Sequence, residues 1–247
     1  MKNDSKILVI GESCVDIFNY GTCVRLCPDV PAPVVNSVKV LKNVGMAGNV
    51  KENISAMKGN VEIYTNENWE KITKTRFVEI SGNYVFMRLD DENHGYGRAN
   101  VKSINFNKYD AIIISDYNKG FLSKEDIRYI INNHPLVFID TKKPVGDWCK
   151  EASFIKINNS EYQKSIDYIS KDLKNKLIVT LGKKGCSYKG NIYPVPEVEI
   201  KDLSGAGDTF LSGLVCEYLK TRNIDKAIQF ANECATSVVQ KRGVSTI

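Results

Sequence analysis

The chain has 247 residues, 43% hydrophobic and 26% charged, the balance of a packed globular domain and far from that of a disordered chain. Its 34 Lys and Arg outnumber its 29 Asp and Glu, for a formal charge of +5, but the basic residues are scattered, so nothing marks a nucleic-acid surface; a mildly basic balance suits an anionic substrate and equally suits a protein without one. Seven cysteines with no CxxC pair, and only two histidines beside them, read as free thiols in a reducing compartment and not as disulfides or a zinc site.

Residues 6–10 read as a buried strand, too short an apolar run for a signal segment or a bilayer span, so no membrane role and a cytoplasmic location are expected. Gly11 ends that strand, and polar Glu12, Ser13 and Asp16 follow where open α/β sheets put ligand contacts. Residues 34–40, 75–80 and 84–89 are β-rich, with Ser81-Gly82-Asn83 as a hairpin turn between the last two, and predict a small antiparallel sheet apart from the main one. Between them, residues 45–57 carry helix-period apolar positions at Val50, Ile54 and Met57, and 61–64 read as a strand.

From residue 111 onward strands and helices alternate: strand 111–115, helix 124–132, strands 136–140 and 154–157, helix 161–169 and strand 177–180. That order predicts a doubly wound, mainly parallel sheet flanked by helices. A hairpin over 185–195 turns at Lys189-Gly190-Asn191, and two helices, 206–219 and 224–241, complete the chain. One domain over residues 1–247 is expected, with lid strands at about 31–42 and 73–92 inserted in it.

The strongest chemical signal is Asp202-Leu203-Ser204-Gly205-Ala206-Gly207-Asp208-Thr209-Phe210. Glycines that run into a helix let backbone N–H groups converge on phosphoryl oxygens, with the helix dipole behind them. No GxxxxGK[ST] loop is present, so the cradle is not a P-loop. Asp208, in the first helical turn, can take a proton from an attacking hydroxyl. It can equally serve only to complement the dipole, and the stretch alone leaves both open.

This stretch resembles the C-terminal signature of the ribokinase-like (PfkB) carbohydrate kinases. Gly11 to Asp16 resembles the family's opening strand and sugar-binding aspartate, Gly45-Met46-Ala47-Gly48-Asn49 its Gly-Gly-Ala-x-Asn segment, and Asn158-Asn159-Ser160-Glu161 its NxxE motif. Within the family, Pro31 to Val35, Met87-Arg88-Leu89-Asp90, Ser115 to Gly120 and Asp140-Thr141-Lys142 are similar to segments of the bacterial heptose-7-phosphate kinases. The resemblance implies a ribokinase-like fold with a β lid and transfer of the γ-phosphate of ATP, with Mg²⁺, to a sugar or sugar phosphate, most specifically a heptose 7-phosphate at O1. It implies a homodimer through the lid.

Residue by residue, the resemblance implies Asp208 as the base, with Gly205, Ala206 and Gly207 as the anion cradle. Asp16, Gly45, Asn49, Arg88, Asp116 and Lys119 fall on the acceptor side. Lys142, Asn158, Thr180, Gly182, Gly185 and Asn232 fall on the nucleotide side, and Glu161 on magnesium through water. Two departures stand out: Met46 replaces the second glycine of the pair, and about one strand and helix are missing between residues 64 and 75. Another sugar or nucleoside kinase, and a sugar or nucleotide sensor on a shortened kinase scaffold, are the competing readings. A Rossmann oxidoreductase is excluded because no GxGxxG follows the first strand.

Overall fold

The structure is a computed structural model that describes residues 5–243 and 245–247. Its main sheet has eight strands: β1 (Lys6–Gly11), β4 (Asn60–Tyr64), β7 (Ala111–Asp116), β8 (Val137–Thr141), β9 (Phe154–Asn158), β10 (Leu177–Thr180), β11 (Cys186–Tyr188) and β12 (Asn191–Tyr193). They lie in the order β12-β11-β10-β9-β8-β7-β1-β4. All neighbours from β10 to β4 pair parallel, and the β11–β12 hairpin closes the far edge antiparallel. The chain leaves β1 toward β4 and later builds from β7 in the opposite direction, so the switch point of the winding lies between β1 and β7, where open sheets form ligand crevices.

Strands buried on both faces need apolar side chains at every position, and β7 supplies them. Ile112 and Ile114 pack with Ile127 and Ile130 of α2 (Lys124–Asn133), while Ile113 faces the opposite layer. That layer holds α1 (Ala47–Ala56), α5 (Ala206–Thr221) and α6 (Ile224–Val239), which bring Val50, Ile54, Leu211, Leu214 and Ile228 against Ile7, Val9 and Phe138. The predicted helix over 161–169 is broken into α3 (Asn159–Ser165), a single 3₁₀ turn and the four-residue α4 (Lys171–Lys174).

The second sheet is larger than the sequence suggests. It contains β2 (Ser13–Leu26), β3 (Pro33–Met46), β5 (Thr73–Glu79) and β6 (Val85–Asp91), ordered β3-β2-β5-β6. The polar residues 13–16 therefore start a strand instead of a loop, and Cys14, Asp16, Phe18 and Tyr20 point alternately inward in the two-residue period of a strand. The outer pairings are antiparallel and the central β2–β5 pairing is parallel. Register gives the sheet two unlike faces. Asp16, Phe18, Lys74, Arg76, Arg88 and Asp90 share one, and Ile17, Val40, Phe77, Met87 and Leu89 share the other.

Between β4 and β5 only residues 65–72 intervene, with one 3₁₀ turn at Trp69–Lys71. β4 is consequently the outermost strand on its side of the main sheet. Among the described residues no helix is long and apolar enough to cross a membrane, and all seven cysteines are free.

Phe138 is fully buried, with its ring 5.3 Å from that of Phe154 and 5.6 Å from that of Tyr218. Phe138→Ala is expected to lower stability by about 3–5 kcal/mol, read as a drop in urea midpoint at unchanged slope. Ile192→Ala, at a position 56% exposed on β12, should change it by less than about 0.5 kcal/mol.

Candidate active site

Asp208 lies where α1, α5 and the β7 exit meet. Gly205 precedes α5 with φ of 80°, a backbone that a side chain disfavours, and no side chain caps the helix. The first N–H groups of α5 are thus left for an anion, and the helix dipole adds to their pull. In the first turn of α5, Asp208 is 6% exposed. Its Oδ2 accepts from Asn49 Nδ2 at 2.8 Å and its Oδ1 from the Tyr117 hydroxyl at 2.9 Å.

Asn49 is itself held, because Asn53 one turn along α1 donates to its Oδ1 at 3.1 Å and accepts from Thr209 Oγ1 at 3.1 Å. Burial pushes the Asp208 carboxyl up to about 6; the hydrogen bond from Asn49 opposes this, nearby Asp140 adds to it, and Lys156 and Tyr117 pull it back. A carboxyl poised there is a base at neutral pH and an acid slightly below it.

Tyr117 owes its position to Glu12. That side chain is fully buried at the end of β1, and its two oxygens accept from the backbone N–H groups of Tyr117 and Lys119 at 2.8 and 2.9 Å. Burial and the charge of Asp116 raise its pKa, and the two N–H donors counter them. Glu12 therefore fixes the loop after β7 across the β1–β7 crevice.

Asp16 enters from β2. Its Oδ1 pairs with Arg76 at 2.7 Å, and its Oδ2 lies so close to Gly45 that a Cβ there would collide with it. Met46 follows with φ of 60° and ψ of −131°, a conformation natural to the glycine it replaces and costing a side-chain-bearing residue about 1–3 kcal/mol. Arg88 reaches the same region, but both its contacts are hydrogen bonds to exposed Asp90 at 2.7 and 2.9 Å. Lys119 pairs with Glu92 at 2.7 Å.

Asp116, expected on the acceptor side, has another role. It is 1% exposed and accepts from Lys143 Nζ at 2.7 Å, from the Asn118 N–H at 3.1 Å and from Thr141 Oγ1. Both its oxygens brace β8 against the β7 exit, Oδ1 with two donors and Oδ2 with one.

On the other side of Asp208, Lys156 of β9 pairs with Asp140 of β8 at 2.7 Å, and Lys142 bridges Asp140 at 3.6 Å and Glu161 at 2.6 Å. Burial would lower the Lys142 pKa, but the carboxylates of Asp140 and Glu161 outweigh it and raise it. Asn158 and Glu161 form a reciprocal capping box at the start of α3, so the NxxE spacing has a structural cause of its own.

Thr180, Gly182, Gly185 and Asn232 all line one cavity of about 360 Å³ together with Ala206 and Gly207, within the size range of small-ligand pockets. Val198, Ile200, Leu203 and Val239 make its walls largely apolar. Lys142 and Asn158 do not line it. The cavity thus ends at the α5 cradle, with Asp208 beyond.

Whether the site suits a magnesium ion can be judged from its carboxylates. Among the described residues no three His, Cys, Asp or Glu side chains gather to hold a metal, and Glu161 has both oxygens engaged, one by Asn158 and one by Lys142. Asp140 Oδ1 is buried without a hydrogen bond. The residues fit an ion that keeps water and phosphate oxygens as most of its ligands, the usual habit of Mg²⁺.

Lys74, Arg76 and Lys156 are members of this arrangement that motif reading does not single out, and Tyr117 and Glu12 lie inside recognised segments without a role assigned to them there. A signal exists for Lys156, since a lysine inside the apolar run Phe154-Ile155-Lys156-Ile157 must find a buried partner.

Comparison with known proteins gives the family and the fold. A family profile described as pfkB family carbohydrate kinase matches residues 44–247. The bifunctional protein HldE of Nitratiruptor sp. is 30% identical over 294 aligned positions that take in 98% of this chain and 63% of that protein. HldE of Helicobacter pylori strain J99 is 29% identical over 293, covering 96% and 63%. The chain therefore spans less than two thirds of these relatives. Among solved structures, a ribokinase from Thermotoga maritima superposes with a TM-score of 0.70 at 16% identity over 97% of this chain and 94% of that one. The Arabidopsis thaliana ribokinase complexed with ribose and ATP gives 0.70 at 12% identity over 97% and 94%. These likenesses establish a ribokinase-like fold.

Gly45→Ala should displace the Asp16 carboxylate from Arg76 while leaving the core intact. A ligand-free melt within a few degrees of wild type, combined with loss of sugar-dependent stabilisation, is the expected pair of results. Unchanged stabilisation by sugar would separate Asp16 from the acceptor side.

Proposed function

This chain belongs to the pfkB family of carbohydrate kinases, and from that premise we propose that it transfers the γ-phosphate of ATP to a sugar-phosphate hydroxyl, specifically the anomeric O1 of a heptose 7-phosphate. The observation that carries the reading is Asp208, a buried carboxyl near its neutral-pH switching point between the apolar cavity and the polar face of the second sheet. The HldE relatives support a heptose phosphate as the acceptor.

In this reading ATP lies in the cavity lined by Thr180, Gly182, Gly185 and Asn232, with its γ-phosphate at the N–H groups of Gly205, Ala206 and Gly207. Asp16 and Asn49 hold acceptor hydroxyls, and Lys119, with Arg88 farther out, supplies positive charge on that side. Asp208 takes the proton of the attacking hydroxyl as its oxygen bonds to the γ-phosphorus and the bond to the ADP oxygen breaks. Lys156 and Lys142 lie on the opposite side of Asp208 and stabilise charge on the moving phosphoryl oxygens. Magnesium, reached from Glu161 through water, would neutralise nucleotide phosphates. The reaction suits the cytoplasm, where ATP is available.

The apolar outer face of the second sheet supports a homodimer. Val38, Val40, Met87 and Leu89 are 63%, 48%, 55% and 54% exposed there, a patch of the kind that marks a partner surface. A twofold pairing of two copies would cover it.

Two experiments test these points. ATP turnover against heptose 7-phosphate, fructose 6-phosphate, ribose and adenosine should favour the first. With it, kcat/KM should fall about tenfold per pH unit below about pH 6, because only ionised Asp208 accepts the proton. Asp208→Asn should lower kcat by roughly 10²–10⁴-fold with little change in ATP affinity; near-normal kcat would remove Asp208 from the role. In sedimentation at micromolar concentration the wild type should run as a dimer and Met87→Glu as a monomer. A wild-type monomer that turns over sugar phosphate would overturn the pairing.

A further inference from the structure

Beside Tyr117, on the side away from α5, three donors converge on one carboxylate. Glu92, just past the end of β6, accepts from Lys119 Nζ at 2.7 Å and from the Tyr96 hydroxyl at 2.9 Å, and lies 3.3 Å from Lys74 Nζ. Two ammonium groups thus share a single negative charge. The other charged pairs nearby are matched one to one, Asp16 with Arg76 and Asp90 with Arg88.

Lys74 is the unusual member. It is 6% exposed, yet its only ion-pair contact among the described residues is that 3.3 Å approach to Glu92. An ammonium carries three donors, and burying one with a single distant acceptor is unfavourable unless another anion comes to it. Tyr96 is 4% exposed, and its hydroxyl is directed to the same carboxylate. Lys74 also lies 5.9 Å from the centre of the Tyr117 ring, whose hydroxyl touches Asp208. Lys74 and the base are therefore separated by little more than one tyrosine side chain, a span that a short polyol bridges.

We propose that Lys74, Lys119 and the Tyr96 hydroxyl form the subsite for a phosphate carried by the acceptor itself, and that Glu92 occupies this subsite until the acceptor displaces it. The proposal rests on the kinase reading above and names the anionic end of its substrate. A phosphate dianion matches the two ammonium charges that one carboxylate leaves half balanced, and its three terminal oxygens give each donor an acceptor of its own. Arg88 lies outside the subsite because Asp90 holds its guanidinium. Burial opposes ionisation of Glu92, but its bonds from Lys119 and Tyr96 and the charge of Lys74 hold its pKa below the ordinary value, so the resident group is itself an anion at neutral pH.

The test uses inorganic phosphate as the probe, titrated calorimetrically into the full chain, and steady-state turnover of heptose 7-phosphate by the same proteins. Glu92→Gln should bind phosphate at least tenfold more tightly than wild type, and Lys74→Met and Lys119→Met at least tenfold more weakly. Lys119 is partly exposed, so its variant reports even if Lys74→Met does not fold. In turnover, Lys119→Met should raise KM for the sugar phosphate at least tenfold with a much smaller change in kcat, and phosphate should compete with the sugar phosphate and not with ATP. Phosphate affinity that ignores all three substitutions, or competition against ATP alone, overturns the subsite. Phosphate binding that follows the substitutions in a protein that turns over no sugar phosphate would support the subsite while sinking the kinase reading.

Discussion

A carboxylate taken out of water at the start of α5 is the constraint around which the site is arranged. Raising the Asp208 carboxyl from 3.8 to about 6 corresponds to roughly 3 kcal/mol. The sign matters: folding favours the neutral acid, so the penalty is absent below the unfolded value and grows to its full size as pH rises through about 6. The fold therefore carries an unfavourable term at neutral pH, kept within bounds by Asn49, Tyr117, Lys156 and the helix dipole. Each comes from a different element, so α1, the β7 exit, β9 and α5 must all be in place before the carboxylate is tolerable.

The same demand explains how much charge is buried in one small region. Asp140 with Lys156, Asp116 with Lys143, and Glu12 with two backbone N–H groups lie at the carboxyl ends of β1, β7, β8 and β9. Such pairs add little net stability, since desolvation consumes most of their attraction, but removing one member leaves its partner stranded. Their effect is positional, because they allow one arrangement of the strand exits and penalise others.

The parts of this design that were legible in the sequence are those whose cause is local. Apolar runs announce β7 to β10, the glycine-bounded stretch before Thr209 announces the cradle, and the Asn158–Glu161 spacing announces a helix start. What was not legible depends on residues far apart in the chain. Tyr117 meets Asp208 across 91 positions, and Asp116 finds Lys143 27 positions away, so nothing near Asp116 shows that it braces β8. β2 was hidden because Asp16 and Asn19 interrupt its apolar alternation; buried Asp16 is matched there by Arg76 from a neighbouring strand, and Asn19 accepts from Ser37.

The short connection from β4 to β5 has a physical reading as well. The matched HldE alignments run over 294 and 293 positions against a chain of 247 residues, and residues 65–72 are all that joins the two sheets there. β4 is the outermost strand on that side, so no inner pairing of the main sheet depends on what this connection contains. That edge is covered with charge, since Glu62 pairs with Lys6 and accepts from Tyr109, a usual defence against edge-to-edge association. The register of the second sheet is set within it because β5 pairs directly with β2, and β2 grows out of the Glu12 corner that also fixes Tyr117. The short connection at that edge thus lies away from the one junction, between β1 and β7, on which the buried base depends.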